Sequence, residues 1–384
     1  MTGPRSSPAP DPDRLARAIL SRRVGLRRGE TVTIEAFTAA LPWAAAFVRE
    51  ARRRGARPLL HFEDEASYWE AVDAGRLDAV GTMGRHEEAA LAATDVYIHC
   101  WGPLDQARTI AARARWGEAR WRRAVAFNPR WYEIAGRARL RGVRLEIAWA
   151  TDANASLWGV DGDAWRREVY AASVRDPAAL RADARTLARR LSGRGTVRVR
   201  HPNGTDLTLS LVGRTARIGL GSCRPDGRGR PVPGMQSVPD ATVYVAVDER
   251  TAEGTFAANR THGRLGAPVT GGVYEMRGGR LVSTSFRDGG DRFARAYRGA
   301  PAGRDRPAFL EIGLDPALRT APRLEESERG AVTFGIGGNA EIDGATDIPF
   351  SSYLTLGGAD VFLNGRPIVR KGRIVPAAGP VRDR

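Results

Sequence analysis

Histidine is scarce in this 384-residue chain: there are five, and none follows His262. The two cysteines, Cys100 and Cys223, stand far apart and have no metal-binding spacing. No realignment of the chain after His262 can therefore supply an imidazole or thiolate ligand. Lysine is almost absent too; of the 60 basic residues only Lys371 is not arginine. No apolar run approaches the roughly 18 residues needed to span a bilayer, so no membrane partner is expected. The opening MTGPRSSPAPDPD has no apolar segment, which excludes a secretory signal there, and residues 1–12 read as a disordered leader. Unpaired cysteines and no signal make a cytoplasmic, reduced protein the simplest expectation.

What is present is ordinary in bulk and biased in detail. The chain is 42% hydrophobic and 7% aromatic, normal for a globular protein long enough for two or three domains. The formal charge of +16, carried by arginine among abundant alanine and glycine, matches the codon bias of a GC-rich bacterial genome. A basic chain can bind nucleic acid, but the clusters at Arg52–Arg54, Arg120–Arg123 and Arg181–Arg190 lie on predicted helices, mostly among alanines. Although Trp116 and Trp121 sit in or near one of them, they are not interleaved with aromatics as single-strand binders require. A solvated, biased surface is the plainer account, and nucleic acid is not an expected partner.

Along the chain, helix-period and strand-period segments alternate up to Trp149. TVTIEA, RPLLHFED, DVYIHCWG, AVAFNP and VRLEIAW read as strands between helices, which predicts an open, mostly parallel sheet in an α/β N-terminal domain. Residues 152–192 read as charged helices linking or leaning on that domain. From Thr196 the pattern changes to short strands with NG and GG turns: TVRVRH, DLTLSLV, ATVYVAV, GGVYEM, RLVSTSF. The reading is thus an α/β domain with helical linker over 13–192 and a β-rich α+β domain over 193–384. GLGSCRPDGRGRPVPGMQSVPD (219–240) reads as one long loop, either functional or simply mobile. GIGGN lacks the following helix of a dinucleotide fingerprint, and CRPDGRGR fails the phosphate-loop spacing.

The stretch 309–356, FLEIGLDPAL through GAVTFGIGGNAEIDGATDIPFSSYLTL, is rich in glycine and carboxylates between short apolar runs. Either a buried site on strands or a purely structural module has this look. LARAILSRRVGLRRGETVTIEAF, EIAWATDANASLWGVD, HPNGTDLTLSLVGR and ADVFLNGRPIVRKGRI, in that order, together resemble the thermophilic metalloprotease family of aminopeptidases, of the aminopeptidase T type. The resemblance runs from about residue 13 to 375. It implies a two-domain fold, a dimer, and a two-metal site in the second domain made of two glutamates, two histidines and an aspartate.

Carried onto this chain, that ligand set is mostly missing. The resemblance puts Thr242 and Thr333 where a glutamate and a histidine would stand, and retains Glu311. The final His-x-Asp becomes Ser351/Tyr353 or Tyr353/Thr355, depending on register. Asp240, Glu341, Asp343 and Asp347 are the remaining carboxylates from which an oxygen-only site could be drawn, with Glu311, Asp240 and Asp347 the candidate ligands if a divalent metal binds at all. A related branch resembles ring-cleaving dihydroxypyridine dioxygenases, whose iron also needs two histidines and an aspartate.

The expected site is therefore a degenerate metal centre. Glu311, Tyr353 and Ser351 are the candidate catalytic groups. Thr242, Thr333, Ser352, Thr355 and Asn339 are the candidate substrate contacts, and no cofactor is expected. Glu311 can serve as a general base or can seat the amino group of a ligand. Two histidines, His201 and His262, belong to the same domain; hairpin capping and an exposed loop are the structural accounts of them. A peptide- or amine-binding pseudoenzyme, a carboxylate-metal hydrolase and a metal-independent enzyme all remain open.

Overall fold

In a computed structural model, residues 9–224, 230–263, 268–319 and 321–376 are described, with residues 261–263 described in backbone only. Most of the expected leader (1–8) and the centre of the CRPDGRGR run (225–229) lie outside them, as does the His262 side chain. Two compact units emerge from the contact pattern: Met1–Ala179 with Gly221–Asp240, and Leu180–Leu220 with Ala241–Arg384. The sequence reading drew one boundary near Ser192–Gly193. The contacts instead give the helix Arg181–Leu191 to the second unit, because Ala184, Leu187 and Leu191 bury into its core.

The first unit begins with the helix Pro12–Ala18, started by Asp11, whose carboxylate accepts from the Asp13 and Arg14 amides while Pro12 sits in the first turn. Four strands follow: β1 (Thr31–Phe37), β2 (Arg57–Glu63), β3 (Val96–Cys100) and β4 (Arg141–Leu145). The chain then leaves for the second unit, lays down β5 (Arg194–His201), β6 (Thr205–Val212) and β7 (Arg217–Gly219), and returns with β8 (Gly234–Val238). The first sheet has the order β2-β1-β3-β4-β8 and is parallel throughout. One face is sealed by Val32, Ile34, Ala36, Ile98, Cys100 and Val143, all essentially inaccessible. Burial pushes the Cys100 thiol up, so it is a packing group rather than a nucleophile.

Two expectations need correction here. AVAFNP forms no strand: it is a 3-10 turn, Arg122–Val125, running into the helix Asn128–Arg137 with Pro129 in its first turn. The apolar run is only four residues, and the proline favours a helix start. The predicted 219–240 loop contains β8, which pairs in register with β4 from Arg141↔Gly234 to Leu145↔Val238.

The second unit continues with β9 (Thr242–Ala246), β10 (Glu253–Gly263), β11 (Val269–Arg277), β12 (Arg280–Ser285), β13 (Pro307–Gly313), β14 (Val332–Gly337), β15 (Ser351–Leu356), β16 (Asp360–Leu363), β17 (Arg366–Arg370) and β18 (Arg373–Ile374). The large sheet runs β18-β17-β16-β5-β6-β10-β15-β14-β13-β9-β7, with β11 and β12 attached through β10. Alternation builds its core: Leu207, Leu209, Val243, Leu310, Phe334 and Leu354 all turn to one interior. Among the described residues no helix is long and apolar enough to cross a membrane.

Candidate functional site

Strands β9, β13, β14 and β15 lie side by side and antiparallel. Since Val243, Leu310, Ile312, Val332, Phe334, Leu354 and Leu356 point to the core, the alternate residues must share the other face. Register puts Glu311 opposite Thr333 on β14 and Tyr244 on β9, and Thr333 opposite Thr355 on β15. The Thr333 and Thr355 hydroxyls are 2.9 Å apart and hydrogen-bonded. Thr242 comes two residues before Tyr244, opposite Gly313. Glu311, Thr333, Thr355 and Thr242 are all buried.

Tyr353 and Ser351 continue the row toward the start of β15, opposite Gly335 and Gly337. The Tyr353 ring packs on Phe309 with centroids 4.9 Å apart. Gly335 makes this stack possible, because a Cβ there would come within 2.2 Å of the Phe309 ring. Burial first, then the charges of Glu311, Glu326, Tyr244 and Glu341, push the Tyr353 phenol up. It is therefore a neutral hydrogen-bond donor at physiological pH, not a phenolate.

The structure thus gathers Glu311, Thr333, Thr355, Tyr353, Ser351 and Thr242 on one face. It does not gather the rest. Ser352 lies on the core side of β15, opposite Ile336. Asn339 is a structural bracket: its amide nitrogen donates to Glu249 and to the Ala308 carbonyl, each at 2.9 Å, and its oxygen accepts from the Thr346 amide at 2.9 Å. Glu249 itself is held by Arg214 at 2.8 Å. Burial alone would raise its carboxyl, but Arg214, the Ala345 amide and Asn339 outweigh that and lower it. Asp347 and Glu341 are exposed, and Asp343 is exposed and paired with Arg217 at 3.3 Å. Asp240 belongs to the first unit rather than to the one carrying Glu311. His201 caps its hairpin, Nδ1 accepting from the Asn203 amide at 3.2 Å.

Sequence reasoning missed Tyr244, Arg260, Glu325 and Glu326. Tyr244 was legible from the alternation of ATVYVAV. Arg260 reaches the face only through the pairing Arg260↔Thr355, and it forms an ion pair with Glu325 at 3.2 Å. Glu325 and Glu326 sit on the short 3-10 turn Glu325–Ser327 that packs beside β13. A non-local pairing and an irregular turn leave no periodic signal.

The donor set tests the expected metal centre. Two divalent ions held around a shared water need several imidazoles and carboxylates to offset their charge. The strands of this face offer one carboxylate, Glu311, with threonine, serine and tyrosine hydroxyls and the Arg260 guanidinium. Glu325 and Glu326 come from the turn beside it, Glu325 paired with Arg260, and no group of three or more His, Cys, Asp or Glu among the described residues is placed to hold a metal. Those residues do not fit a two-metal centre.

Neither a family model nor a curated protein sequence matches the chain. Five chains among the solved structures do, two of which follow. AmpT (aminopeptidase T) from Thermus thermophilus superposes with a TM-score of 0.69 at 18% identity, covering 95% of this chain and 99% of that one. The 2,5-dihydroxypyridine dioxygenase of Pseudomonas putida KT2440 superposes with a TM-score of 0.60 at 13% identity, covering 95% and 97%. The chain shares their fold. At such identities the likeness extends to architecture, an α/β unit with a parallel sheet and a β-rich unit with a large antiparallel one, and not to chemistry.

Proposed function

We propose that this chain is an aminopeptidase-like protein that binds a peptide or small amine-bearing molecule on the β13–β14–β15 face. Any chemistry there proceeds without a histidine-ligated two-metal centre. The reading is carried by one observation: a buried carboxylate, Glu311, set within a row of hydroxyls from Thr333, Thr355 and Tyr353. A carboxylate in low dielectric favours a cationic partner, and an ammonium donating to it forms a charge-assisted hydrogen bond. The neutral Tyr353 phenol suits a carbonyl oxygen of the same ligand. The fold shared with AmpT makes a peptide N-terminus the natural choice of amine, and the dioxygenase reading meets the same shortage of imidazoles.

Metal analysis of the purified protein and binding by Glu311→Ala test the proposal together. Metal-free protein should bind its amine ligand, and Glu311→Ala should lose at least tenfold in affinity while keeping its unfolding midpoint. Stoichiometric zinc, cobalt or manganese with chelator-sensitive cleavage of aminoacyl substrates would replace this account with a divergent metal-dependent hydrolase.

A further inference from the structure

The first unit carries a second polar constellation that the Glu311 face does not use. In the order β2-β1-β3-β4-β8, the chain runs outward from β1 to β2 on one side and through β3 and β4 on the other. The switch point therefore falls between β1 and β3. Open parallel sheets bind ligands at that place, beyond the carboxyl ends of the strands, because neighbouring loops diverge there.

Register lines up one residue from each strand close to that end. His61 pairs with Glu35, Glu35 with His99, His99 with Arg144, and Arg144 with Ser237. Cross-strand partners share a face, so the five side chains form one row. The residues one step earlier on this face, among them Tyr97 and Met235, are roofed by Leu91, Trp131 and Ile134. The row itself is not sealed: His61, Glu35 and His99 keep 34%, 22% and 19% of their side-chain surface.

The centre of the row is rigidly built. Glu35 Oε2 accepts from the Tyr97 hydroxyl at 2.6 Å and meets His99 Nδ1 at 2.7 Å. With Nδ1 engaged, His99 Nε2 makes no hydrogen bond to any described residue and is not among the buried, unpartnered atoms. Burial would raise the Glu35 carboxyl, but the charge of His99, the bonds from His99 and Tyr97, and His61 beyond hold it at about 2. Its charge is thus committed to His99 and Tyr97.

Toward β8 the row offers donors, the Arg144 guanidinium and the Ser237 hydroxyl, with Arg144 steadied by the Tyr132 hydroxyl. Carboxylates gather on the other flank, where Glu63 and Glu87 stand near His61. Neighbouring strands are about 4.8 Å apart, so His99, Arg144 and Ser237 span about 10 Å. The loop after β3 is as deliberately held. Trp101 adopts a φ of 33°, rare for a bulky residue. Its ring lies 5.2 Å from His99 and 5.9 Å from Trp149, and its Nε1 donates to the buried Glu146 at 3.1 Å. Gly102 packs so tightly on Phe37 that a Cβ would fall 1.7 Å from its ring. Asn154, fully buried in the EIAWATDANASLWGVD segment, donates to the Leu104 and Trp149 carbonyls at 2.9 Å each and accepts from the Gln106 amide.

We propose that the carboxyl end of the parallel sheet is a second ligand site. It takes a small molecule bearing an oxyanion, carboxylate or phosphate, with the oxyanion on Arg144 and Ser237 and the adjoining group against His99 Nε2. The proposal lies wholly within the first unit and stands whether or not the Glu311 reading does.

The test is NMR of the full chain labelled at histidine Cε1, titrated with inorganic phosphate and separately with benzoate. His99 is assigned by loss of its resonance in His99→Gln. A saturable His99 shift is expected with at least one probe; phosphate alone marks a phosphate-bearing ligand and benzoate alone a carboxylate. Arg144→Ala should weaken that binding tenfold or more, and Arg144→Gln, which keeps most of the stem, serves if the alanine variant fails to fold. A folded wild-type chain whose His99 gives no saturable response, or an Arg144 variant that binds as well as wild type, overturns the proposal.

Discussion

The two polar rows of this protein are built by the same rule and come out opposite in chemistry. On the parallel sheet, one register line carries His61, Glu35, His99, Arg144 and Ser237, and its carboxylate is already matched by a histidine and a tyrosine. On the antiparallel sheet, the line through Tyr244, Glu311, Thr333 and Thr355 has one carboxylate among hydroxyls. The first is an internally compensated row with donors to spare at one flank. The second ends on Arg260, which faces Thr355 and pairs with Glu325, and its Glu311 is the carboxylate proposed to take a cationic ligand. A charge in a sheet interior is governed by what the next strand sets opposite it, not by its neighbours in sequence.

The comparison can be broken most forcefully at Glu35. Glu35→Ala strips the charged partner from His99 and the acceptor from Tyr97, and should cost on the order of 2–3 kcal/mol in urea unfolding; a change under half that would show the dyad to be incidental. The same carboxyl gives the contrast an acid signature. Because its folded value of about 2 lies below the ordinary glutamate value of 4.5, its contribution is present above roughly pH 4.5 and lost as the pH falls toward 2. Glu35→Gln should therefore flatten the stability profile between pH 5 and 3 relative to wild type, and an unchanged slope there would contradict the assignment. A smaller effect belongs to the other sheet. Thr333→Val leaves the buried Thr355 hydroxyl without its partner, at about 1–2 kcal/mol. Adding Thr355→Val should recover much of that loss, since two apolar groups replace a matched pair; additive losses in the double variant would point to separate partners.

Much of the fold was legible because its strands announce themselves. TVTIEA, DVYIHC, DLTLSLV and ATVYVAV alternate or run apolar in ways that admit few other structures, and each is a strand here. β8 was hidden since GMQSV has little β-branched content and its pairing with β4 bridges about ninety residues. AVAFNP misled because four apolar residues fit a helix entry as well as a strand. In the site, alternation alone could have placed Ser351, Tyr353 and Thr355 together and Ser352 apart. The bracket role of Asn339 could not be read, for it depends on Glu249, ninety residues away, and on the Ala308 carbonyl. The row from His61 to Ser237 escaped notice for the same reason: its members are scattered over five strands, and only register makes them neighbours.

The central claim, that Glu311 seats an amine without a metal, is tested most directly by calorimetric titration of chelator-treated protein with a short peptide and its N-acetylated counterpart. The account predicts that wild type binds the free-amine peptide at least tenfold more tightly, and that Glu311→Gln binds both equally weakly. Equal affinity for the two peptides in the wild-type chain, or binding that returns only when a divalent metal is restored, would contradict it.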